Sequence, residues 1–262
     1  MYKVEALARG LNVLSLFSRE RPTMSFSDIV AASGLSKATV FRILSTLSNL
    51  GYLERNRENR RYRPSLKVMQ LGFTTLSGLE LRHVARPFTE RLAQRVGQTV
   101  SIAVLDGMDV VYIDRVRHNA VLGVVLGLGS RIPAHAASLG KAILAFLPPE
   151  ELKRRLDGAE LPACTPHTAC GRSALYADLY QVRQVGYSLN DEEWVLGLRS
   201  TAAPILNDHG EVVASINSAV PAALVSRAEL ESRIAVQVRG AALEISRALG
   251  YDGALGDRGQ AA

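Results

Sequence analysis

The chain has 262 residues, 47% of them hydrophobic and 21% charged, a balance that excludes a disordered tail and suits one large domain or two smaller ones. Its net charge of +6 is unevenly placed: residues 1–66 hold 11 Lys or Arg against 5 Asp or Glu, while residues 67–262 hold 20 of each. The surplus sits in the first quarter and points to a polyanionic partner there, and no apolar run reaches the roughly 18 residues that a membrane span needs.

Val4, Leu7, Leu11 and Leu14 recur at helical spacing and predict an amphipathic helix over 3–18. Glu5, Arg9, Asn12, Arg19 and Glu20 interrupt this stretch, so no signal peptide is expected and the chain is read as cytoplasmic, with no membrane partner. Ser25 and Asp28 in SFSD have the spacing of a capping box, opening a second helix that runs to about Ser33. Gly34 supplies a turn, and Ser36 is a good N-cap for a third helix ending near Leu50, the outline of a helix-turn-helix. Val40, Leu44 and Leu47 form the buried face of that helix and leave Lys37, Thr39, Arg42, Thr46 and Asn49 on others. YLERNRENRRYR then reads as a wing hairpin carrying Arg57, Arg60, Arg61 and Arg63.

A helix of this kind fits the major groove of B-DNA, where Ser36, Lys37, Thr39 and Arg42 at its start can reach base edges and phosphates. Arg60 and Arg61 of the wing are read as backbone contacts, adding affinity more than sequence specificity. Only Tyr52 and Tyr62 can serve as stacking platforms in the basic segment, so double-stranded DNA is favoured over single-stranded RNA. The alternative is that these arginines keep a hairpin soluble.

Residues 65–82 predict a linker helix, with Leu66, Met69, Phe73 and Leu76 as an apolar seam suited to a second subunit or to the helix's own domain. The remainder is α+β. Strands are expected at TVSIAVL, VVYIDRV, VLGVVLGL, LRSTAAPIL and VVASINSAV, with DGMD and NDHG as hairpin turns, and helices at about 139–147, 174–185 and 226–249. The last residues, 252–262, read as a flexible tail.

HAASLGKA places small residues at a helix start, where the amides of Ser138, Leu139 and Gly140 suit a carboxylate. Leu198, Ser200, Asn217 and Ala219 from GLRS and SINSA, with Asn190 from YSLN, can complete a small-ligand pocket, or the same side chains can simply cap the helix and complete the sheet. His135 and Arg199 read equally as a buried histidine and a salt-bridged arginine, and Trp194 as a core anchor, a dimer anchor or a pocket wall. CTPHTAC offers Cys164, His167 and Cys170 without a nearby fourth ligand, so no metal is expected. Ser138 and Lys141 form S-x-x-K, but its companion motifs and the other common catalytic signatures are absent; no enzyme, catalytic residue or cofactor is expected.

ALARGLNVLSLFS, GLSKATVFRILSTLSNLGYL, IPAHAASLGKAILA, GYSLNDEEWVLGLRSTAAPI and VVASINSAV, in this order over nearly the whole chain, resemble the IclR family of bacterial transcription regulators. The resemblance implies a winged helix-turn-helix DNA-binding domain over 1–64, a linker and dimerisation helix over 65–82, and a GAF-like effector domain with an antiparallel sheet over 83–251. It also implies a homodimer or homotetramer on operator DNA. It places small-acid effector contacts at Ser138, Leu139, Asn190, Leu198, Ser200, Asn217 and Ala219, with Asn190 and Ser200 where some members carry a carboxylate and a cysteine. SLNDEE, GLRS and VVASINSA are similar to regulators of aromatic-acid catabolism, including the protocatechuate and 4-hydroxybenzoate branch of the β-ketoadipate pathway.

Overall fold

The structure, a computed structural model, describes residues 2–18, 20–77, 80–118 and 126–253. It divides into two compact units, Met1–Leu79 and Glu80–Ala262, a division that falls inside the stretch expected as a linker.

The first unit contains α1 (Glu5–Leu14), α2 (Phe26–Ser33), α3 (Lys37–Asn49), the hairpin β1 (Leu53–Arg55) and β2 (Tyr62–Pro64), and α4 (Leu66–Ser77). α1 stops at Leu14 because the amides of Leu16 and Phe17 turn back to the carbonyls of Val13 and Leu14, a tighter turn than the α-helix. The capping box forms as expected: Ser25 Oγ accepts from the Asp28 amide at 3.2 Å while the Ser25 amide donates to Asp28 Oδ2 at 2.9 Å. Gly34 leaves α2 at φ +65°, a conformation that suits glycine, and Ser36 Oγ caps α3 by accepting from the Thr39 amide. Met24 pairs with Tyr62, so the strand pair gains a third short edge, and both side chains join Val13, Ile29, Val40, Leu44 and Leu53 in the core. The stripe of α1 goes the other way, with Val4, Leu7 and Leu11 exposed.

α4 is the linker helix. Lys67 Nζ donates to Leu50 O at 2.8 Å and lies over the Tyr52 ring, tying the start of α4 to the end of α3. Leu66 and Met69 of the expected seam are exposed, whereas the side chains of Phe73 and Leu76 lie outside the described residues.

The second unit contains α5 (Glu80–Val96), β3 (Thr99–Asp106), β4 (Asp109–Val116), β5 (Arg131–Pro133), a 3-10 turn (Ala134–Ala136), α6 (Ser138–Leu144), α7 (Pro149–Leu156), α8 (Arg172–Val185), β6 (Ser188–Asp191), β7 (Leu198–Leu206) and β8 (Val212–Pro221). It ends with α9 (Arg227–Glu229), which passes through a π turn (Leu230–Ala235) into α10 (Val236–Ala248). The six strands form one antiparallel sheet in the order β5-β4-β3-β8-β7-β6. α5 and α10 pack on one face and α6 on the other, with α8 behind it.

Two helices depart from expectation. α5 contains Pro87 and many charges, yet it buries Ala85, Thr89, Leu92, Ala93 and Val96 at spacings of three and four. α7 is short and buries only Leu152 and Leu156. Most of the strand expected at 121–128 lies outside the described residues; Leu126 to Leu128 belong to no strand, and β5 begins at Arg131. Of the expected tail only Asp252 and Gly253 are described. Among the described residues no helix is long and apolar enough to cross a membrane.

Candidate functional site

In the first unit α3 buries Val40 and Leu44 and leaves Lys37 and Arg42 exposed, neither with a charged partner among the described residues. Ser36 and Thr39 are partly engaged already: their hydroxyls lie 2.9 Å apart within the N-cap. Thr39, Arg42 and Thr46 border a groove whose other wall is Leu7 and Leu11 of α1.

The wing arginines separate into two groups. Asn56 Oδ1 accepts from the amides of Glu58 and Asn59 and shapes the hairpin tip, where Arg60 takes the left-handed conformation at φ +55°. Arg57 and Arg60 have no ion-pair partner among the described residues. Arg61 points inward: its guanidinium donates to Thr23 Oγ1, Thr23 O and Asp28 Oδ2 at 3.0 to 3.2 Å. Arg63 makes two bonds to Glu54 Oε2, its cross-strand partner.

In the second unit the strand register builds a pocket. On one sheet face Asn190, Ser200 and Ala219 lie side by side on β6, β7 and β8. The next lateral row on that face runs Ser188, Ala202, Asn217, Ser101 and Arg115. Tyr112 and Arg115 are three apart on β4 and would face opposite ways in a regular pleat. The register shift between Ile102 and Ala103 leaves Ile113 as an extra residue, which puts Tyr112 and Arg115 on one face and sends Asp114 to the other. There Asp114 meets Arg86 at 2.8 Å and Arg82 at 3.8 Å, both on α5.

α6 covers the pocket face, fastened by sheet side chains. Ser188 Oγ donates to Ser138 O at 2.6 Å, Ser215 Oγ donates to Leu139 O at 2.9 Å, and the hydroxyls of Ser138 and Ser200 lie 2.7 Å apart. Asn190 Nδ2 donates to Ala136 O in the preceding turn. Between α6 and the sheet is a narrow pocket, with a cavity of about 20 Å³, whose walls include Ser138, Leu139, Asn190, Leu198, Ser200, Asn217 and Ala219. Gly140 is behind that wall: a Cβ added to it would fall 2.1 Å from Ala134 O, so its role in the structure is close approach of helix and turn.

The remaining walls include Ser101, Tyr112, Arg115, Leu126 and Ile132, which sequence patterning missed because a bulge leaves no mark in the sequence, and Trp194, which it left open. Burial pushes the Tyr112 phenol up to about 12, against the opposing charge of Arg115, so it remains a neutral donor. Of the expected polar contacts, Ser138, Ser200 and Asn190 already have protein partners. Asn217 has none among the described residues, is only 4% exposed, and has its Oδ1 buried.

Lys141 is also buried, with Nζ 2.7 Å from both Asp178 Oδ2 and Glu193 Oε1. Its ammonium is thus committed away from Ser138, and the S-x-x-K spacing makes no nucleophile and base pair. His135 Nε2 bonds to Pro162 O at 2.9 Å, and Arg199 bonds to Asp191 at 2.5 Å and to the carbonyls of Ala222 and Val225. The loop CTPHTAC is a strut, in which Thr165 Oγ1 donates to Glu192 O and Thr168 Oγ1 to Glu193 O, while Cys164 and Cys170 are exposed.

These two arrangements agree with known proteins. Residues 6–57 match the model of the IclR helix-turn-helix domain, and residues 73–247 match that of the bacterial transcriptional regulator IclR C-terminal domain. The HTH-type transcriptional regulator XynR of Escherichia coli K12 is 34% identical over 95% of this chain and 98% of its own. A protein of known structure from Rhodococcus sp. RHA1 is 36% identical, with a TM-score of 0.80 over 94% of this chain and 98% of its own. An IclR homologue from Microbacterium hydrocarbonoxydans, solved in complex with 4-hydroxybenzoate, is 28% identical, with a TM-score of 0.79 over 93% and 98%. The chain therefore belongs to the IclR family, whose members are DNA-binding transcription regulators with a C-terminal effector domain and not enzymes.

Proposed function

We propose that this regulator binds operator DNA as a homodimer or homotetramer in the cytoplasm, typically as a repressor, and that a small organic acid in the second unit modulates that binding. Residues 1–64 meet DNA: Ser36, Lys37, Thr39 and Arg42 at the start of α3 face the major groove and Arg60 meets phosphate, with Arg61 bracing the wing behind it. The linker over 65–82 joins them to the effector domain over 83–251. The observation that carries the effector reading is that seven residues expected as contacts, Ser138, Leu139, Asn190, Leu198, Ser200, Asn217 and Ala219, surround one pocket, supported from behind by Gly140. The 4-hydroxybenzoate held by the Microbacterium homologue favours an aromatic acid within the wider class of organic acids.

Self-association is supported by two apolar faces without cover in the single chain, Val4, Leu7 and Leu11 on α1 and Leu66 and Met69 on α4. The ligand acts by shifting an equilibrium between subunit arrangements that space paired recognition helices differently. The test is to select bound fragments from genomic DNA with the full-length protein, then to measure 4-hydroxybenzoate binding with and without a selected fragment. Coupled binding requires the two affinities to differ, and the same factor must appear in the DNA titration. Equal affinities overturn the effector coupling, and failure to select any duplex overturns the regulator reading.

A further inference from the structure

Phe17 and Phe26 pack against the core of the first unit, whereas Phe41 on α3 is 64% exposed. Its ring lies outside the groove between α1 and α3, whose walls include Thr39, Arg42 and Ile43. Helical spacing puts Phe41 one turn beyond Lys37 and Ala38 and one turn before Ser45, with Arg42 beside it, and all five residues are exposed, on the side away from the buried Val40 and Leu44. Around the helix, Phe41 and Ala38 form an apolar patch between Lys37 and Arg42, two cations with no charged partner among the described residues.

An apolar patch between cations fits a surface that is anionic at its borders and apolar at a point between them. The major groove of B-DNA is such a surface: phosphates border it, the base edges present donors and acceptors along its floor, and thymine adds a C5 methyl. A phenyl ring has no donor to offer a phosphate. Set on the polar edge of another base, it strips water from a donor or acceptor and returns no hydrogen bond. Set on the thymine methyl, it takes apolar surface of both partners out of water.

We propose that Phe41 is a thymine-reading residue, its ring packed on the C5 methyl of a thymine while Lys37 and Arg42 engage polar groups on either side. This rests on α3 being the helix that enters the major groove, and it assigns sequence specificity to a side chain that adds nothing to phosphate binding.

The full-length protein is used to select a genomic duplex, which is then synthesised twice, with thymidine and with deoxyuridine throughout; the second lacks every C5 methyl and keeps the phosphates and the base pairing. Wild type should bind the thymidine duplex more tightly, by about fourfold for each methyl the ring covers and roughly fifteenfold where two recognition helices each cover one. Phe41→Ala should bind the two duplexes alike, and Phe41→Leu, which keeps an apolar side chain, should retain part of the preference. The salt dependence of affinity should be the same in Phe41→Ala as in wild type, because no phosphate contact is lost. Equal affinity of wild type for the two duplexes overturns the proposal whether or not a variant folds, and so does a preference as large in folded Phe41→Ala as in wild type. A change of subunit assembly in Phe41→Ala, read by sedimentation of the free protein, would place the ring against another copy of the chain and also overturn it. Failure to select any duplex takes away the regulator reading itself, whereas a selected duplex indifferent to its methyls removes only this assignment.

Discussion

The Arg61 guanidinium lies 3.2 Å from the Asp28 carboxylate and 3.0 Å from Thr23 O, so an arginine that its sequence groups with phosphate contacts is engaged inside its own unit. Lys37, Arg42 and Arg60 have no such attachment among the described residues. Lys37→Ala, Arg42→Ala and Arg60→Ala are expected to leave the melting temperature unchanged and to weaken DNA binding. Each lost phosphate contact should lower the dependence of log affinity on log salt by about one unit. Arg61→Ala should lower the melting temperature instead. An unchanged salt slope in the first three variants would remove them from the interface.

The same contact carries a pH dependence. Asp28 is held below its ordinary value of 3.8, first by the Ser25 amide, then by the Ser25 hydroxyl, with the Arg61 charge adding to both. A carboxyl depressed in the folded state contributes stability that is present above its unfolded value and lost as pH falls through the folded one. Hydrogen exchange in α2, corrected for its intrinsic pH dependence, is expected to accelerate as the pH is lowered below 3.8. Asp28→Asn should show the faster exchange already at neutral pH, with no further change of this origin on acidification.

Lys141 is expected to be among the most sensitive positions in the second unit. Lys141→Met removes a buried ammonium and leaves Asp178 and Glu193 facing each other without compensation, a loss of about 3 kcal/mol. Restoring the balance with Glu193→Gln in the Lys141→Met background should recover part of that loss. Denaturant unfolding of these two variants and of Glu193→Gln alone checks both statements, and simple additivity of the two single effects would contradict the triad.

Gly140→Ala places a methyl 2.1 Å from Ala134 O, a contact that backbone must move to relieve. The expected cost is roughly 1–3 kcal/mol, read from the denaturation midpoint, with weakened ligand binding because α6 is displaced from the pocket. Gly10→Ala, with open space around it, is the matched control and should be neutral or slightly stabilising.

The first unit was legible in the sequence because its signals are local: the Ser25 box, the Gly34 turn and the Ser36 cap each occupy a few adjacent residues. The paired strands of DGMD and NDHG were legible for the same reason. α5 was not, because its small buried residues are diluted by charge and Pro87, which reads as a breaker although the helix runs through it. In the pocket, Asn190, Ser200 and Asn217 could be located from their motifs, but which of them has a partner depends on residues far away in sequence. Likewise the inward turn of Arg61 depends on Thr23 and Asp28, more than thirty positions earlier.

Neighbours on β4 answer to opposite sides of the sheet, Arg115 to the cavity and Asp114 to Arg82 and Arg86. The residue beside a cavity wall is thus tied to α5, so exchange of the α5 amides on filling the cavity is expected to change in the wild type and to change less in Asp114→Asn.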